Sequence, residues 1–324
     1  MVTSTDEAAV WVLSGQQDPT ADLVVRELAQ RGVPVFRFNT ADFPTTLVMA
    51  AELRDKGWSG TVRAPCRAGA LDSVRSVYYR RPEEFRIDGD LPAGAQEFAL
   101  GQSRAGLLGV LGASPALWVN HPAREGEANY KPWQLAVAQW AGLDPPRTLI
   151  TNEPDAARHF VKTAPGPVIT KSLVGGVLVD GQRRGAATTV VDAGELDDSI
   201  GLCAHLFQDW VEKAHEVRLT VVGDCFFAVE IHAGSEAARI DWRSDYPSLT
   251  YCVTEAPPAV RDGVVQLMRH FGLAYGAFDF VVTPTGEWRF LEINANGQWG
   301  WLEAETGLPI AAALADLLER GTSK

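Results

Sequence analysis

The sequence predicts an α/β protein with two or three domains. Its 324 residues are enough for more than one buried core. Near the N-terminus, the apolar run AVWVLSG is followed by a stretch with helical spacing and then by a second apolar run, VPVFRFN. This strand–helix–strand order is typical of a parallel sheet, whereas the C-terminal half alternates apolar strands with turns.

The N-terminal part is predicted from apolar runs and the residues that interrupt them. The first helix has Leu23, Val24, Leu28 and Ala29 at helical spacing and ends at Gly32. The predicted elements of this part are strands at 9–15, 33–39, 72–82 and 116–122 and helices at 18–32 and 94–112. We place the first domain boundary near residue 121.

The rest of the chain is predicted in the same way. Pro132 is tolerated in the helix at 130–143 only because it falls in the first turn. Residues 166–181 predict two strands around a glycine-bearing loop, and the acidic segment 192–207 predicts a loop that leads into a short helix. The other predicted elements are a turn and a strand within 144–154, strands within 216–233 and 279–294, and helices at 155–164, 257–271 and 309–320.

Composition and charge argue against several classes of function. The formal net charge is −12 and the isoelectric point is about 5.0, which argues against a general nucleic-acid binder but leaves room for a local basic pocket. The four cysteines are not spaced as metal ligands, so we expect free thiols in a reducing cytosol. The acidic start of the chain does not fit a secretory signal, and no apolar stretch approaches the roughly 18 residues that span a bilayer. We therefore expect a cytoplasmic protein that binds neither nucleic acid nor a membrane.

Near the C-terminus, an apolar strand carries polar side chains on one face. Glu292 and Asn294 are two residues apart and point to the same side of the strand RFLEIN. The turn TPTGEW can fold this strand back on GAFDFVVT, which brings Asp279 close to both residues. Two carboxylates and an amide oxygen are hard donors that suit Mg²⁺, and Mg²⁺ commonly bridges to the phosphates of a nucleotide. Acidic residues on strands usually face solvent, but the apolar neighbours of these three indicate burial, and buried charges need partners or a metal.

Two lysines occupy positions that suit phosphate binding. Lys171 ends the apolar strand PVITK just before the glycine-bearing loop, and Lys131 opens a helix, where the helix dipole disfavours a positive charge. The sequence contains no GxxxxGK[ST] loop, so a P-loop enzyme is excluded. Either lysine taken alone could be an ordinary surface lysine.

In the order in which they occur, these motifs resemble the ATP-grasp superfamily over nearly the whole chain. They are Lys131, VITKSLVGG around Lys171, LFQDWVEKAHEVRLTVVGD, Asp279 and FLEINAN. The resemblance implies an ATP-grasp fold, in which an N-terminal pre-ATP-grasp α/β domain precedes two α+β lobes that enclose ATP. The implied domains are 1–121, then 122–205 for the small lobe, and 206–324 for the lobe with the hinge and the magnesium ligands.

The resemblance also implies a role for each matching residue. Lys131 and Lys171 hold the ATP phosphates, and Arg218 lies near the transferred phosphate. The remaining implied contacts are adenine at the hinge residues Gln208, Asp209, Trp210 and Val211, the ribose hydroxyls at Glu216, and Mg²⁺ at Asp279, Glu292 and Asn294.

Longer phrases narrow the resemblance to one group of ATP-grasp enzymes. NHPARE, NYKPWQLAVAQWAGLDPPRTLITN, ARIDWRSDYPSLTY and NGQWGWLEAETGLPI look like the graspetide synthetases, in particular those of the actinobacterial type. These ribosomal peptide maturases join Asp or Glu side chains of a precursor peptide to Ser or Thr hydroxyls or to Lys amines. The resemblance thereby implies ATP and Mg²⁺, a precursor peptide with a leader and a core, and a homodimer.

The chemistry of such a bond suggests further site residues. ATP would convert a carboxylate into an acyl phosphate, which a hydroxyl or amine then attacks, and a weak hydroxyl nucleophile would benefit from a base. His232 and Asp241 are the candidate bases, and Arg243 is a candidate clamp for the reacting carboxylate. Two structural alternatives remain. His232 could simply be hydrogen-bonded within its strand, and Arg243 could form an ordinary salt bridge.

Two regions have more than one interpretation at this point. The acidic segment 192–201 is either a solvated loop or part of the surface that holds a leader peptide. We expect Trp299 and Trp301 to pack in the core or at a dimer interface rather than to stack on nucleic-acid bases, because the chain is acidic.

Two other functions are compatible with the motifs. One is a ligase that adds an amino acid to a protein or small peptide, although the phrase IDWRSDY favours the peptide maturase. The other is a non-catalytic nucleotide-binding regulator. A regulator would be expected to lose a magnesium ligand or a phosphate lysine, whereas all five positions are present.

Overall fold

The N-terminal part is built on a parallel sheet, as the strand–helix–strand pattern predicts. The computed structural model describes residues 9–174, 177–179, 182–184 and 188–321. The elements of the first part are β1 (Ala9–Ser14), α1 (Pro19–Gln30), β2 (Val35–Phe38), β3 (Val48–Arg54), β4 (Gly57–Ala64), β5 (Arg67–Ala70), β6 (Val74–Arg80), α2 (Ala93–Gly112) and β7 (Leu117–Val119). The parallel strands follow the order β2-β1-β6-β7.

A second sheet in this part was not predicted. Strands β3, β4 and β5 form a three-stranded antiparallel sheet. β5 lies directly on the aromatic core, because a Cβ at Gly69 would meet the Trp11 ring at 2.6 Å and the Phe36 ring at 2.9 Å. Much of β3 and β4 is exposed, so the sequence lacks the regular apolar alternation that identifies a half-buried strand.

The central part is a four-stranded antiparallel sheet. Its elements, with the two helices that precede them, are α3 (Pro122–Ala128), α4 (Lys131–Trp140), β8 (Thr148–Thr151), α5 (Pro154–Lys162), β9 (Val168–Lys171), β10 (Val177–Val179), β11 (Gln182–Arg184), β12 (Thr189–Val191) and β13 (His205–Asp209). The sheet order is β12-β9-β13-β8, and β10 and β11 form a separate hairpin. β9 and β10 are the strands predicted around the glycine-bearing loop, whose Gly175 and Gly176 lie outside the described residues. The acidic segment contains 3₁₀ turns at Ala193–Glu195 and Asp198–Leu202, where a short helix was predicted.

The C-terminal part is a five-stranded antiparallel sheet with helices on both faces. Its elements are β14 (His215–Val222), β15 (Cys225–Ala233), α6 (Glu236–Ile240), β16 (Leu249–Thr254), α7 (Pro258–Phe271), β17 (Tyr275–Val282), β18 (Trp288–Asn294), α8 (Gly300–Thr306) and α9 (Ile310–Arg320). The strand order is β16-β15-β14-β17-β18. The two predicted helices are confirmed as α7 and α9, whereas α3, α6, α8 and β16 were not predicted.

Two apolar cores connect the parts of the chain. One contains Leu267 and Phe280 and lies where α4 and α7 cover one face of the C-terminal sheet. The other contains Leu28, Tyr275 and Leu314 and joins α9 to the first helix and to the opposite face of that sheet. The domain boundaries at 121 and 205 stay predictions; α4, just after the first boundary, packs against α7 and β18. None of the helices in the described part of the chain has the length and apolar composition that crossing a membrane requires.

Asn120 fastens the N-terminal sheet to the C-terminal sheet. It follows β7 directly and is 2% exposed. Its amide nitrogen donates to the carbonyls of Tyr275 (2.8 Å) and Ala295 (2.6 Å). Its amide oxygen accepts from the backbone N–H groups of Ala274 (2.8 Å) and Tyr275 (3.1 Å). The side chain therefore uses its full hydrogen-bonding capacity on backbone groups more than 150 residues away.

Asn120→Ala is expected to destabilise the fold. The substitution leaves buried backbone groups at Tyr275 and Ala295 without a partner, and each such group costs about 1–3 kcal/mol. We expect a loss of at least about 2 kcal/mol in the free energy of unfolding, measured by urea denaturation. The exposed Asn152→Ala is the matched control and should change stability by less than about 0.5 kcal/mol. Equal unfolding midpoints for the two variants would contradict this role of Asn120.

Candidate active site

β17 and β18 form the hairpin that the sequence predicts. Asp279 pairs with Glu292 across the two antiparallel strands, and Ala277 pairs with Asn294. β17 is buried along its whole length. The Nδ2 of Asn294 lies 3.3 Å from the Glu292 Oε1 atom. The two carboxylates and the amide therefore face one another, and the hairpin prediction is confirmed, while their role as metal ligands stays a prediction.

Asp279 is held by two arginines. Arg218 lies directly opposite it on β14, and its Nη1 donates to Asp279 Oδ1 at 2.7 Å. Arg243 donates from Nη2 to Asp279 Oδ2 at 2.8 Å. The side chains of Arg218 and Asp279 are each only 5% exposed. A buried carboxylate needs such partners, because an unpaired charge in this place would be strongly destabilising.

Glu292 is surrounded by cations from three parts of the chain. Lys131 Nζ lies 3.1 Å from its Oε2 atom, and Arg243 Nη2 lies 3.7 Å from its Oε1 atom. Burial alone would raise the pKa of Glu292, but Lys131, Lys171 and Arg243 together lower it well below its ordinary value. Lys131 Nζ also donates to the carbonyl of Ser172 at 2.8 Å. Glu292 is therefore ionised, and Lys131 links the start of α4 to the segment after β9.

Lys171 lies at the end of β9 and lines a cavity that Lys131 and Glu292 also line. Burial lowers its pKa, and the positive charges of Lys131 and Arg243 lower it further, while Glu292 and Asp279 oppose this shift. The Lys171 ammonium is thus desolvated and close to other cations. These surroundings differ from those of an ordinary surface lysine and favour an anionic ligand.

The predicted hinge residues lie at the end of β13 and just after it. Gln208 is fully buried and donates to Thr148 Oγ1 at 2.8 Å, while its own amide oxygen has no partner among the described residues. Asp209 forms two hydrogen bonds of 3.0 Å with the guanidinium of Arg147. Trp210 and Val211 follow the strand, and all four hinge residues line the cavity.

Glu216 faces the cavity from the start of β14. Burial raises the pKa of its carboxyl, while its ion pair with Lys213 opposes the shift. Lys213 was not singled out from the sequence. Its place in QDWVEK, three residues before Glu216, is the signal that could have indicated the pair.

Asp241 and Arg243 enter the site from the segment after α6. Asp241 Oδ1 accepts from the backbone N–H of Arg243 at 3.1 Å and lies 3.6 Å from its Nη1. The Arg243 guanidinium stacks 4.5 Å from the centre of the Trp242 ring. Burial opposes its charge, but Asp279, Glu292 and Asp241 outweigh that effect and raise its pKa. Arg243 makes salt bridges, as one of the two interpretations holds, but it makes them inside the cavity.

His232 is not brought to this site. Glu216 faces the cavity and is opposite Ile231 on β15. The next residue, His232, must point to the other face of the sheet, where its Nε2 lies 2.9 Å from Glu230 Oε2. His232 is therefore not placed to act as a base in the cavity, and Asp241 is the remaining candidate for that role.

One cavity collects the predicted residues. Its volume is about 1520 Å³. All of the predicted catalytic, nucleotide-binding and metal-binding residues except His232 line this cavity. They are Lys131, Lys171, Gln208, Asp209, Trp210, Val211, Glu216, Arg218, Asp241, Arg243, Asp279, Glu292 and Asn294.

The loop after β18 is clamped by an arginine that the sequence analysis missed. Arg80, at the end of β6, is 1% exposed. Its Nη1 donates to the backbone oxygen (2.9 Å) and side-chain oxygen (2.7 Å) of Asn296, and its Nη2 donates to Gln298 Oε1. Burial raises the pKa of Glu125, which accepts from Asn296 Nδ2 at 3.3 Å and also lines the cavity. The sequence signal was the charged pair RR directly after the apolar run SVYY.

Comparisons with known proteins bear on the fold of the chain. Residues 9–125 match the family model of the MvdD pre-ATP grasp domain. No curated protein matches the chain at a significant level. Among solved structures, the chain is similar to a RiPP-associated ATP-grasp ligase from Chryseobacterium gregarium in complex with ADP and a leader and core peptide. The TM-score is 0.87 at 29% identity, and the match covers 98% of this chain and 99% of that chain.

Two macrocyclases from Microcystis aeruginosa MRC are similar as well. MdnC, bound with the precursor peptide MdnA, gives a TM-score of 0.83 at 27% identity and covers 96% of this chain and 99% of its own. MdnB gives a TM-score of 0.79 at 29% identity, with coverage of 96% and 98%. The chain therefore has the fold of these ATP-grasp ligases, with a pre-ATP-grasp domain at its N-terminal end.

Gly297→Ala is expected to disrupt the site while the rest of the fold persists. A Cβ at this position would lie 2.5 Å from Ala277 Cβ and 2.6 Å from Arg218 Nη2, so the loop or the arginine must move. We expect nucleotide affinity to fall at least about tenfold, which corresponds to 1.4 kcal/mol, measured by calorimetric titration of ADP with Mg²⁺. Gly101→Ala in α2, whose added Cβ would meet nothing within 4 Å, is the control and should bind as the parent chain does. Unchanged affinity in Gly297→Ala would show that this close packing does not position the site.

Proposed function

We propose that this chain, an ATP-grasp protein with an MvdD-type pre-ATP-grasp domain, is an ATP- and Mg²⁺-dependent peptide macrocyclase. It activates Asp or Glu side chains of a ribosomal precursor peptide and joins them to Ser or Thr hydroxyls as esters or to Lys amines as amides. The similar ligase from C. gregarium was solved with a leader and core peptide, and MdnC with its precursor peptide, which supports a peptide substrate of this kind. The proposal includes the homodimer that the resemblance implies.

The observation that carries the proposal is the cluster of charges in the cavity. The buried carboxylate of Asp279 and the half-buried carboxylate of Glu292 meet four cations there: Arg218 and Arg243 on Asp279, and Lys131 and Lys171 beside Glu292. With Asp241, which lies 3.6 Å from Arg243 Nη1, this cluster has four cations and three carboxylates, although the chain as a whole has a net charge of −12. A positive surplus around a pair of hard oxygen donors suits a nucleotide with its metal ion.

Asp279, Glu292 and Asn294 are the residues that would hold Mg²⁺. Their carboxylate and amide oxygens are hard donors, and the strand register already turns the three side chains toward one another. They therefore fit the ion. Bound there, Mg²⁺ would supply Lewis-acid stabilisation of the negative charge on the transferring phosphoryl group.

The remaining cavity residues divide between the nucleotide and the peptide. Lys131 and Lys171 are the phosphate ligands, and Arg218 is fixed beside Asp279 for the transferred phosphoryl group. The hinge residues 208–211 and Glu216 receive adenine and ribose. Gln208 Oε1, buried beside the cavity without a partner among the described residues, supports a polar ligand at the hinge.

The reaction divides into two substitution steps. An oxygen of the peptide carboxylate attacks the γ-phosphorus of ATP, the bond to the β-phosphate oxygen breaks, and ADP leaves. A hydroxyl oxygen or amine nitrogen of the same peptide then attacks the acyl carbon, its proton passes to a base, and inorganic phosphate leaves. Each bond formed converts one ATP to ADP and phosphate and removes one water from the peptide.

Two residues of the segment after α6 have roles in these steps. Arg243 orients the peptide carboxylate through its guanidinium, which is suited to carboxylates. Asp241, held by the backbone N–H of Arg243, is the candidate base for the attacking hydroxyl.

Glu292→Gln and Lys171→Ala are each expected to reduce ADP formation at least about 100-fold. Both remove a charge that acts on the reacting phosphoryl group, and losing one such contact typically costs about 10²–10³ in rate. The measurement is a coupled assay of ADP release in the presence of the precursor peptide.

The chain offers a matched control for each variant. Glu287→Gln lies in the turn of the same hairpin, and Lys162→Ala lies at the end of α5; both side chains are exposed. The control variants should retain the parent rate. Normal ADP formation by either site variant, with its fold intact by circular dichroism, would exclude that residue from the phosphoryl-transfer site.

The proposed activity is tested directly by intact mass. The peptide encoded by the short open reading frame beside the gene is incubated with the purified chain, ATP and Mg²⁺. We expect the peptide to lose one or more waters, with one ADP formed for each water lost. Hydroxylamine, which cleaves esters faster than amides, then distinguishes the two types of bond.

Other outcomes select the two other functions. An unchanged peptide, with ATP consumed only when free amino acids are added, would identify an amino-acid ligase. Nucleotide binding without ADP formation under either condition would identify a non-catalytic regulator.

A further inference from the structure

A second cluster of polar side chains lies behind the active site. His215 starts β14, and Glu230 and His232 lie on β15. Because strand side chains alternate, Glu230 and His232 share one face, and the strand register places His215 opposite His232 on that face. This is the face that the cavity does not use. We call these three residues the rear triad.

The ligand atoms of the rear triad converge. His232 Nε2 lies 2.9 Å from Glu230 Oε2, and His215 Nε2 lies 3.7 Å from Glu230 Oε1. One ligand atom from each of the three residues lies within 4.8 Å of the others. Zn²⁺ bonds to imidazole nitrogen and carboxylate oxygen are about 2.0–2.2 Å, so tetrahedral ligands stand about 3.3–3.5 Å apart. The two measured separations lie on either side of that spacing.

The surroundings of the rear triad favour a metal site over a simple ion pair. The centroids of the two imidazole rings are 5.1 Å apart, and both rings lie beside the Glu230 carboxylate. A single ion pair would use only one imidazolium, and two protonated rings at this distance would repel each other. The three side chains are 18–42% exposed, which leaves a path for an ion and room for a water ligand.

We propose that His215, Glu230 and His232 bind one Zn²⁺ ion on the face of the C-terminal sheet opposite the active site. Two imidazoles and one carboxylate are a donor set that Zn²⁺ uses in proteins, whereas Mg²⁺ is bound through oxygen donors. Water completes the coordination. The site is separate from the residues proposed to hold Mg²⁺ and does not depend on the proposed function.

The ion would connect β14 to β15 close to Glu216, which lines the cavity. His215 precedes Glu216, whose carboxylate points into the cavity from the same strand. Bound Zn²⁺ therefore fixes the start of β14 against β15 and, with it, the segment that follows the hinge. The expected consequence is a higher melting temperature with Zn²⁺, since an ion that binds only the folded chain stabilises it.

The test is a titration of the full chain with Zn²⁺ alone, after removal of any affinity tag and of metal by a chelator. Excess Mg²⁺ is present to occupy hard-oxygen sites. We expect one Zn²⁺ per chain, and at least about tenfold weaker binding in His215→Ala and His232→Ala, because even the partners of metal ligands commonly contribute 10–100-fold. Glu230→Gln keeps the size of the side chain but removes its charge and one acceptor oxygen. It should weaken Zn²⁺ binding as well, and it covers the case in which an alanine variant fails to fold.

Two control variants separate the rear triad from other sites. His159→Ala removes an exposed histidine on α5, and Glu292→Gln removes a carboxylate of the active-site cavity. Both should bind Zn²⁺ as the parent chain does. Absence of Zn²⁺ binding by the parent chain would overturn the proposal. Binding that survives His232→Ala and Glu230→Gln, or that disappears in Glu292→Gln, would overturn it as well.

Discussion

Burial of the Asp279 carboxylate is the constraint around which the active site is organised. β17 is buried throughout, so a charge in its middle is tolerated only with partners at hydrogen-bond distance. Removing one member of such a buried pair typically costs about 3–5 kcal/mol. Arg218 is fixed directly opposite on β14, and its second amino group donates to the carbonyl of Gln298 at 3.2 Å. The same ion pair therefore stabilises the sheet and sets the position of the loop that borders the cavity.

The free edge of β18 is covered by helix α4 and the segment after it rather than by another strand. β18 is the last strand of its sheet. Gln134, on α4, accepts from the backbone N–H of Ile293 at 3.1 Å and donates to its carbonyl at 2.9 Å, so the side-chain amide replaces a neighbouring strand. Phe290 N–H donates to the carbonyl of Asp144 at 3.0 Å. This cover protects an edge that would otherwise be open to pairing, and it places Lys131, three residues before Gln134, beside Glu292.

The site could be predicted where local periodicity decides the answer. Alternation along β18 placed Glu292 and Asn294 together, and the turn before it placed Asp279 opposite. The sequence could not show which face His232 takes, because that depends on the register between β14 and β15. The charged pair RR after SVYY marks Arg80 as unusual, but its contact with Asn296 could not be predicted, since that partner is 216 residues away. The sheet β3–β4–β5 was not predicted because much of β3 and β4 is exposed, and exposure removes the apolar alternation on which such predictions rest.

The two arginines on Asp279 differ in a way that explains how the cavity can accept its ligands. Arg218 is 5% exposed and is also held by the carbonyl of Gln298, so moving it would break two contacts and leave a buried charge. Arg243 is 43% exposed and lies on a short segment after α6. It can leave Asp279 at a smaller cost, because water and the substrate can solvate it once the carboxylate has another partner. A divalent cation on Asp279 and Glu292 would supply that partner. The same exchange would free Lys131 from Glu292 for its proposed contact with phosphate, and Arg243 for its proposed contact with the peptide carboxylate. Asp279 and Glu292 would then keep a counter-charge throughout the exchange.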